Sequence, residues 1–458
     1  MPTLREPIEI GGLELPNRLY RAPLLECAGT DEETADRLAA ELEPAAASGA
    51  GLVFQGATIV RSDGGCAAPG MTRFADDEFV AGLDAVPEAI HDHGGRIVCQ
   101  LAHGGLRSME VWHAGFRSER PDLEQLAVSE PPWQLRALDR LGVLEFSPRV
   151  LDTAAVEELA ADFGRAAARA VDAGYDGIHI AGANMGIVQQ FLSPFYNRRS
   201  DRFADGVCFL EAVHDEIRER VGAETDRDPS AVPIVTKVPS ERPAPRIVRR
   251  HLTDDDAVSI CARLEAIGFD ALVPVRTSVT WDMSIVRGAY PKRSWSDPQF
   301  QQAYVDAFGN RWRAGIVKLL NRVQARRFGS EPGWNADLAR RVRDRVDVPV
   351  MLEGGLRERD HIDGLLGDAC DLAGMARPFY AEPELPARLL ADRTASESES
   401  PGASDVEGVA ALCEDCNNCT VPQVAGASGV CRTPSVVERR GELERAGAYD
   451  RDGARDSE

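Results

Sequence analysis

The sequence predicts an α/β fold, a closed (β/α)8 TIM barrel with an N-terminal hairpin. Three observations carry that expectation. Eight short, apolar, strand-like runs alternate with amphipathic helical stretches between residues 17 and 391. The alternation has no break midway of the kind an open doubly wound sheet requires, and that architecture stands as the alternative. The segment "IEIGGLELP" (8–16) precedes the first run and reads as a hairpin plugging the N-terminal end of the barrel.

The expected strands are 18–24 (RLYRAPL), 51–60 (GLVFQGATIV), 96–103 (RIVCQLAH), 177–183 (GIHIAGA), 232–238 (VPIVTKV), 270–276 (DALVPVR), 348–355 (VPVMLEGG) and 371–377 (DLAGMAR). Helical stretches such as 156–174 and 254–268 lie between them. Thr253 and Asp256 occupy the N-cap and N3 positions of a capping box that opens the second. Two connections are longer than a βα loop needs, 104–150 and 277–334, and they hold all six tryptophans: Trp112, Trp133, Trp281, Trp295, Trp312 and Trp334. On a barrel both overhang the C-terminal face, where the chemistry takes place. An apolar roof over a planar cofactor or substrate is the functional expectation, and a satellite cluster under a long loop is the plain one. The chain divides into a barrel (1–391), a flexible acidic linker (392–412), a cysteine-bearing segment (413–435) and a charged tail (436–458).

Acidic residues outnumber basic ones by 74 to 52, a formal charge of −22, and only Lys237, Lys292 and Lys318 are lysines. Such a surface argues against nucleic-acid binding and suits a salt-rich, halophilic cytoplasm, where screening tames self-repulsion. No apolar run is long enough to span a bilayer, and the first residues do not resemble a signal peptide, so a cytoplasmic location is expected. Four of the ten cysteines, Cys413, Cys416, Cys419 and Cys431, follow the spacing C-x2-C-x2-C-x11-C. Metal ligation is the natural reading in a chain of this length. Zinc usually takes paired C-x2-C knuckles, whereas three close cysteines and a distant fourth suit a cubane iron–sulfur cluster; on spacing alone both stay open. The other cysteines are scattered and read as buried core thiols.

No G-x-G-x-x-G follows a strand, so a Rossmann site is not supported. The phosphate signal lies instead at the ends of the last two strands, with Gly354 and Gly355 in "EGGL" and Gly374 and Arg377 in "GMAR".

These motifs, with "PIEIGGLELPNRLYRAPL", "QLAHGG", "AGYDGIHIAGAN", "QFLSPFYNRRSDRF", "PVMLEGG" and "DLAGMARPFYAEPEL", resemble the old yellow enzyme family of FMN oxidoreductases over residues 4 to about 435. The nearest branch is that of 2,4-dienoyl-CoA reductase and trimethylamine dehydrogenase. The resemblance implies FMN in the barrel and a [4Fe-4S] cluster on the four cysteines, without the nucleotide-binding domains that follow in longer relatives. It places backbone of Pro23, Leu24 and Leu25 around the flavin ring, Gly56 and Ala57 at its edge, and Gln100 at its pyrimidine. Lys237 stands where the family has arginine, and Gly354, Gly355, Gly374, Ala376 and Arg377 stand around the phosphate. Leu25 occupies the position of a redox-tuning Thr or Cys and excludes a covalent flavin there.

The catalytic pattern departs from the family. The strand-four residues that hold a substrate carbonyl and deliver a proton correspond to Ala181, Asn184 and Gly186, and only Asn184 survives. Trp281–Asp282 matches a Trp–His pair, which makes Asp282 the candidate proton donor and Trp281 a pocket wall. His179 reads as a hydrogen-bonded barrel residue, and His103 with Arg107 as shaping the pocket mouth. The expected activity is FMN-dependent oxidoreduction (NADH:flavin oxidoreductase or ene-reductase-like) linking NAD(P)H or a reduced small-molecule substrate, FMN and the cluster, with a separate electron-transfer protein as one electron partner. An amine (C–N oxidising) dehydrogenase and a non-catalytic flavin/Fe–S subunit are the alternatives.

Overall fold

The computed structural model describes residues 2–140, 145–280, 282–391 and 408–450. Eight parallel strands form the sheet: β1 (Leu19–Arg21), β2 (Leu52–Ile59), β3 (Arg96–Ala102), β4 (Gly177–Ile180), β5 (Ile234–Ser240), β6 (Ala271–Arg276), β7 (Met351–Glu353) and β8 (Leu372–Met375). Their order is β6-β5-β4-β3-β2-β1-β8-β7. The ring closes where Leu272 of β6 bridges Val350 in parallel and its N–H donates to Pro349 O at 3.1 Å. The open sheet is thereby excluded, and each expected strand is present, seven of them shorter and the fifth equally long but shifted two residues toward the C-terminus.

The strands read as continuous apolar runs because both faces are covered. One face meets the surrounding helices, including α1 (Thr34–Ala47), α2 (Ala85–His91), α3 (Thr153–Asp172), α4 (Val207–Glu224), α5 (Asp254–Ile267), α6 (Ala336–Arg343) and α7 (Arg359–Leu365). The other fills the barrel with Tyr20, Leu52, Phe54, Val98, Val235, Val273 and Met351. The hairpin Ile8–Ile10/Leu13–Leu15 pairs antiparallel, and Ile10, Leu13 and Leu15 join that inner core, so it closes the barrel floor as expected. The capping box of α5 forms in both directions: Asp256 N–H donates to Thr253 Oγ1 at 3.2 Å and Thr253 N–H to Asp256 Oδ2 at 2.8 Å.

The two long connections carry structure of their own. The first holds a parallel ribbon of Gln125–Ala127 and Pro148–Val150, the second the helices Gln301–Phe308 and Arg311–Arg327. Residues 392–407 of the expected linker lie outside the described residues. Its last residues are anchored: Arg359 N–H donates to Val409 O and Ala411 N–H to Arg357 O, both at 2.9 Å. Part of the expected tail is helical, over Pro434–Arg445. No described helix is long and apolar enough to cross a membrane.

Gly374 is dictated by packing inside the barrel. A Cβ there would sit 2.0 Å from Cζ of Tyr20, a fully buried ring that fills the barrel centre. Gly374→Ala should therefore lose about 1–3 kcal/mol in urea denaturation, the usual cost of overpacking. A double-mutant cycle with Tyr20→Leu should recover about 1 kcal/mol of that, and strict additivity would place the strain elsewhere.

Candidate cofactor and active site

The C-terminal ends of the strands open into a cavity of about 610 Å³, within the range of small-molecule sites. One wall is the segment after β1. Arg21, buried at the end of β1, donates to Glu26 Oε1 at 2.8 Å, to Glu41 Oε1 of α1 at 2.9 Å and to Phe54 O of β2 at 3.0 Å. Glu26 in turn accepts the Gly56 N–H at 2.8 Å. This fixes Pro23, Leu24 and Leu25 against Ala57, and all four line the cavity. Gly56 lies behind the lining. Its missing side chain admits the Leu24 carbonyl, whose oxygen would be 1.2 Å from a Cβ.

The floor is polar. Gln100 Nε2 lies 2.8 Å from His179 Nδ1, and Lys237 Nζ lies 2.6 Å from Glu353 Oε2. Burial and the Lys237 charge hold the His179 imidazole well below its ordinary pKa, so it is neutral and accepts from Gln100 at Nδ1. His179 Nε2 and Glu353 Oε1 are buried without a partner among the described residues. Gln100, Lys237 and Glu353 face the cavity. Glu353, the partner of Lys237, went unnoticed in the sequence; its signal was the last position of the seventh strand.

The βα4 turn forms a second wall, lined by Ala181, Asn184, Met185 and Gly186. Asn184 and Met185 adopt left-handed backbone, φ 61° and 63°. The turn is held by Gln189, which accepts the Met185 N–H at 2.7 Å and donates to Glu241 Oε1 at 3.0 Å. Glu241, fully buried, also accepts from Ser193 Oγ at 2.9 Å and Leu252 N–H at 2.8 Å. From the β3 side, Arg107 donates to the Asn184 carbonyl. His103, also facing the cavity, is kept neutral, its pKa lowered to about 3 by burial and then by Arg61 and Arg73. Asp282 lines the cavity with its carboxyl raised by burial, against hydrogen bonds from Ser284 and Ser278.

At the far end, Gly354 and Gly355 have φ 111° and 72°, and both are crowded by the 331–334 loop, with Trp334 Cε2 2.6 Å from a Cβ on the first and Glu331 O 2.2 Å from one on the second. Gly374, Ala376 and Arg377 complete this end. The Arg377 guanidinium is engaged by Asn417 Oδ1 and by Asp415 Oδ1 at 3.2 Å. Asp415 also binds Arg357 at 3.2 Å and Ser330 Oγ at 2.6 Å. These contacts dock the cysteine segment on the barrel, where Gln423 Nε2 further donates to Leu25 O at 2.7 Å.

Cys413, Cys416, Cys419 and Cys431 line one small cavity together with Arg377 and Tyr380. Among the described residues no group of Cys, His, Asp or Glu is drawn tightly enough to hold a single metal ion. A four-iron cubane asks for less convergence, since each thiolate binds its own iron. Burial pushes Cys413 up to about 11 and Cys419 to about 12, with Arg377 opposing. The four thiols thus share one cavity, and four separate thiolates are the donor set a cubane takes.

The tryptophan roof is partial. Trp112, Trp295 and Trp334 line the cavity, whereas Trp133 and Trp312 are 57% and 85% exposed, and Trp281 lies outside the described residues. Met283, Val286 and Leu320 supply the rest of the apolar cover, which tryptophan spacing does not reveal.

Residues 3–235 match the model of the NADH:flavin oxidoreductase / NADH oxidase family. The chain belongs to that family. A metal reductase of Desulforamulus reducens is 27% identical over 395 residues, 85% of this chain and 49% of the relative. The 4,4'-dithiodibutanoate disulfide reductase of Rhodococcus erythropolis is 24% identical over 444 residues, covering 95% of this chain and 96% of that protein. Histamine dehydrogenase from Rhizobium sp. 4-9 shares the fold, with TM-score 0.66 at 21% identity, over 95% of this chain and 53% of its own. The chain spans about half the length of the first of these relatives.

The βα4 turn is kept in place through Glu241, whose pKa burial pushes up to about 7. A raised acid stabilises the fold below its unfolded pKa and loses that contribution as pH rises through the folded one. Relative to Glu241→Gln, the wild type should therefore lose on the order of 3 kcal/mol between pH 4.5 and 7.5. Thermal melts across that range check it; parallel pH profiles would remove Glu241 as the titrating group.

Proposed function

We propose that the chain binds FMN in the large cavity and a [4Fe-4S] cluster on Cys413, Cys416, Cys419 and Cys431. It would move electrons between NAD(P)H or a reduced organic substrate, the flavin and the cluster. The observation that carries this reading is that Arg377 and Tyr380 line both cavities, so one layer of side chains separates them. Bound FMN supplies hydride transfer and the junction between two-electron and one-electron chemistry.

Pro23, Leu24, Leu25 and Ala57 form the wall for the ring, with Gln100 and Lys237 offering an amide and a cation to its polar edge. Gly354, Gly355, Gly374 and Ala376 line the end where the phosphate would sit. There the Arg377 charge is shared with Asp415, so its contribution is smaller than a free guanidinium would make. Asn184 supplies one neutral donor toward substrate, Asp282 is the proton-donor candidate, its carboxyl raised by burial, and Ala181 and Gly186 leave room. Electrons reaching the cysteine segment would pass to a separate electron-transfer protein in a salt-rich cytoplasm. For the alternative amine reading, Arg287 lies over Trp334 at 5.4 Å and Lys318 over Trp295 at 5.7 Å, so one face of each of those rings already carries a cation of the protein.

Anaerobically purified protein should carry one FMN and about four irons per chain, and NADH should bleach the flavin. Cys416→Ser should lose iron and also loosen flavin, because the segment that carries Gln423 is docked on Leu25. Lys237→Ala should lower the flavin potential and weaken FMN binding by removing positive charge from the floor. Stoichiometric zinc without iron would sink the cluster assignment, and an unchanged potential in Lys237→Ala would move that residue away from the cofactor.

A further inference from the structure

We propose that the Arg107 guanidinium and the neighbouring Asn184 amide form a carboxylate-binding subsite, so that the substrate is an anion presenting its carboxylate to the βα4 turn. The inference rests on the proposed placing of the flavin and names the substrate class of the same cavity. Five cations line that cavity: Arg107, Lys237, Arg276, Arg357 and Arg377. Four are neutralised by the protein itself. Lys237 pairs with Glu353 at 2.6 Å, Arg276 with Asp254 at 3.1 Å, and Arg357 and Arg377 each with Asp415 at 3.2 Å. Among the described residues Arg107 has no carboxylate partner, and its hydrogen bond is to the Asn184 carbonyl. Burial alone lowers its pKa, to about 10, with no neighbouring charge contributing.

A guanidinium has five donors in a planar fork, and this contact uses one nitrogen. In a chain with a net charge of −22 a cation without a counterion, in a lined cavity, is a site held open for an anion. Asn184 stands beside it, its amide side chain lining the cavity without a hydrogen bond to another described residue. The geometry also accounts for Ala181. Two neutral donors on this turn would suit a ketone or aldehyde oxygen, whereas one cation and one amide suit a full negative charge. Leu106, Trp112 and Met185 supply apolar surface around the pair, which fits a substrate with a hydrocarbon body.

The test is isothermal titration of the purified holoprotein with benzoate and with benzamide, equal in shape and different in charge. Wild type should bind benzoate at least about ten times more tightly. Arg107→Met should weaken benzoate by about 10- to 100-fold and benzamide by less than about twofold, with Arg107→Lys between. Equal affinity of wild type for the two probes, or no binding of either, would overturn the proposal. So would an equal loss of both probes in Arg107→Met, which would make Arg107 only a tie for the turn. FMN content measured in the same samples separates the two readings. Benzoate preference without flavin fails the cofactor assignment alone, and full flavin without preference fails this one alone.

Discussion

The buried guanidinium of Arg21 organises the wall on which the rest of the site depends. It leaves β1, reaches a carbonyl of β2 and carboxylates of the following loop and of α1, and so ties four successive pieces of chain at one point. A charge so placed is tolerable only when paired, and both carboxylates are themselves driven upward by burial, Glu26 and Glu41 sharing the one cation. Removing a member would leave the others uncompensated, an effect of about 3–5 kcal/mol in comparable buried pairs. The consequence is positional. With Glu26 also holding the Gly56 N–H, the Leu24 carbonyl is pressed against a glycine that has no room for a side chain. The wall at Pro23–Leu25 is thus set by electrostatics below it.

Asp415 plays the corresponding part for the cysteine segment. Its carboxylate joins Arg357, Arg377 and Ser330, while its backbone carbonyl accepts the Ala289 N–H at 2.8 Å and nearly touches Gly288. The thiols are therefore built onto the C-terminal face of the barrel, and the connection through 408–412 is anchored as well. Arg377 is what links the two cavities. It lies between the glycine-rich end of one and the thiols of the other, and its charge opposes the burial that raises Cys413 and Cys419.

Much of this was legible in the sequence, and the rest was hidden for a common reason. The eight strands, the hairpin and the capping box follow from local pattern, since buried parallel strands read as apolar runs and an N-cap with its N3 acid lies within one turn. The lining by Leu24, Leu25, Ala57, Gln100, Lys237 and Asn184 was implied by the family resemblance and not by local pattern. What local reading did not supply is pairing over long separations. Lys237 and Glu353 are 116 residues apart, and Arg377 and Asn417 are 40 apart, so an arginine that looks free for phosphate is committed elsewhere. The tryptophan roof failed at Trp312 because counting aromatics in a loop ignores the helix Arg311–Arg327, on which that ring lies on the solvent side with Ile316, Leu319 and Val323.

The distribution of charge within the cavity completes the picture. At the floor the ammonium of Lys237 is offset by a carboxylate 2.6 Å away, so its field there is that of a dipole more than that of a lone cation. Lysine keeps charge where a forked arginine would also fix geometry, and the neutral Gln100–His179 pair beside it adds direction without charge. Above, on the βα3 and βα4 turns, the order is reversed: Arg107 keeps an uncompensated charge, and the groups around it, His103 and Asn184, are neutral. An anion entering the cavity meets a balanced floor and a positive outer wall. In the proposed reading its favoured orientation is therefore set from above, by the turn that Glu241 and Gln189 hold in left-handed backbone, with the floor facing the flavin.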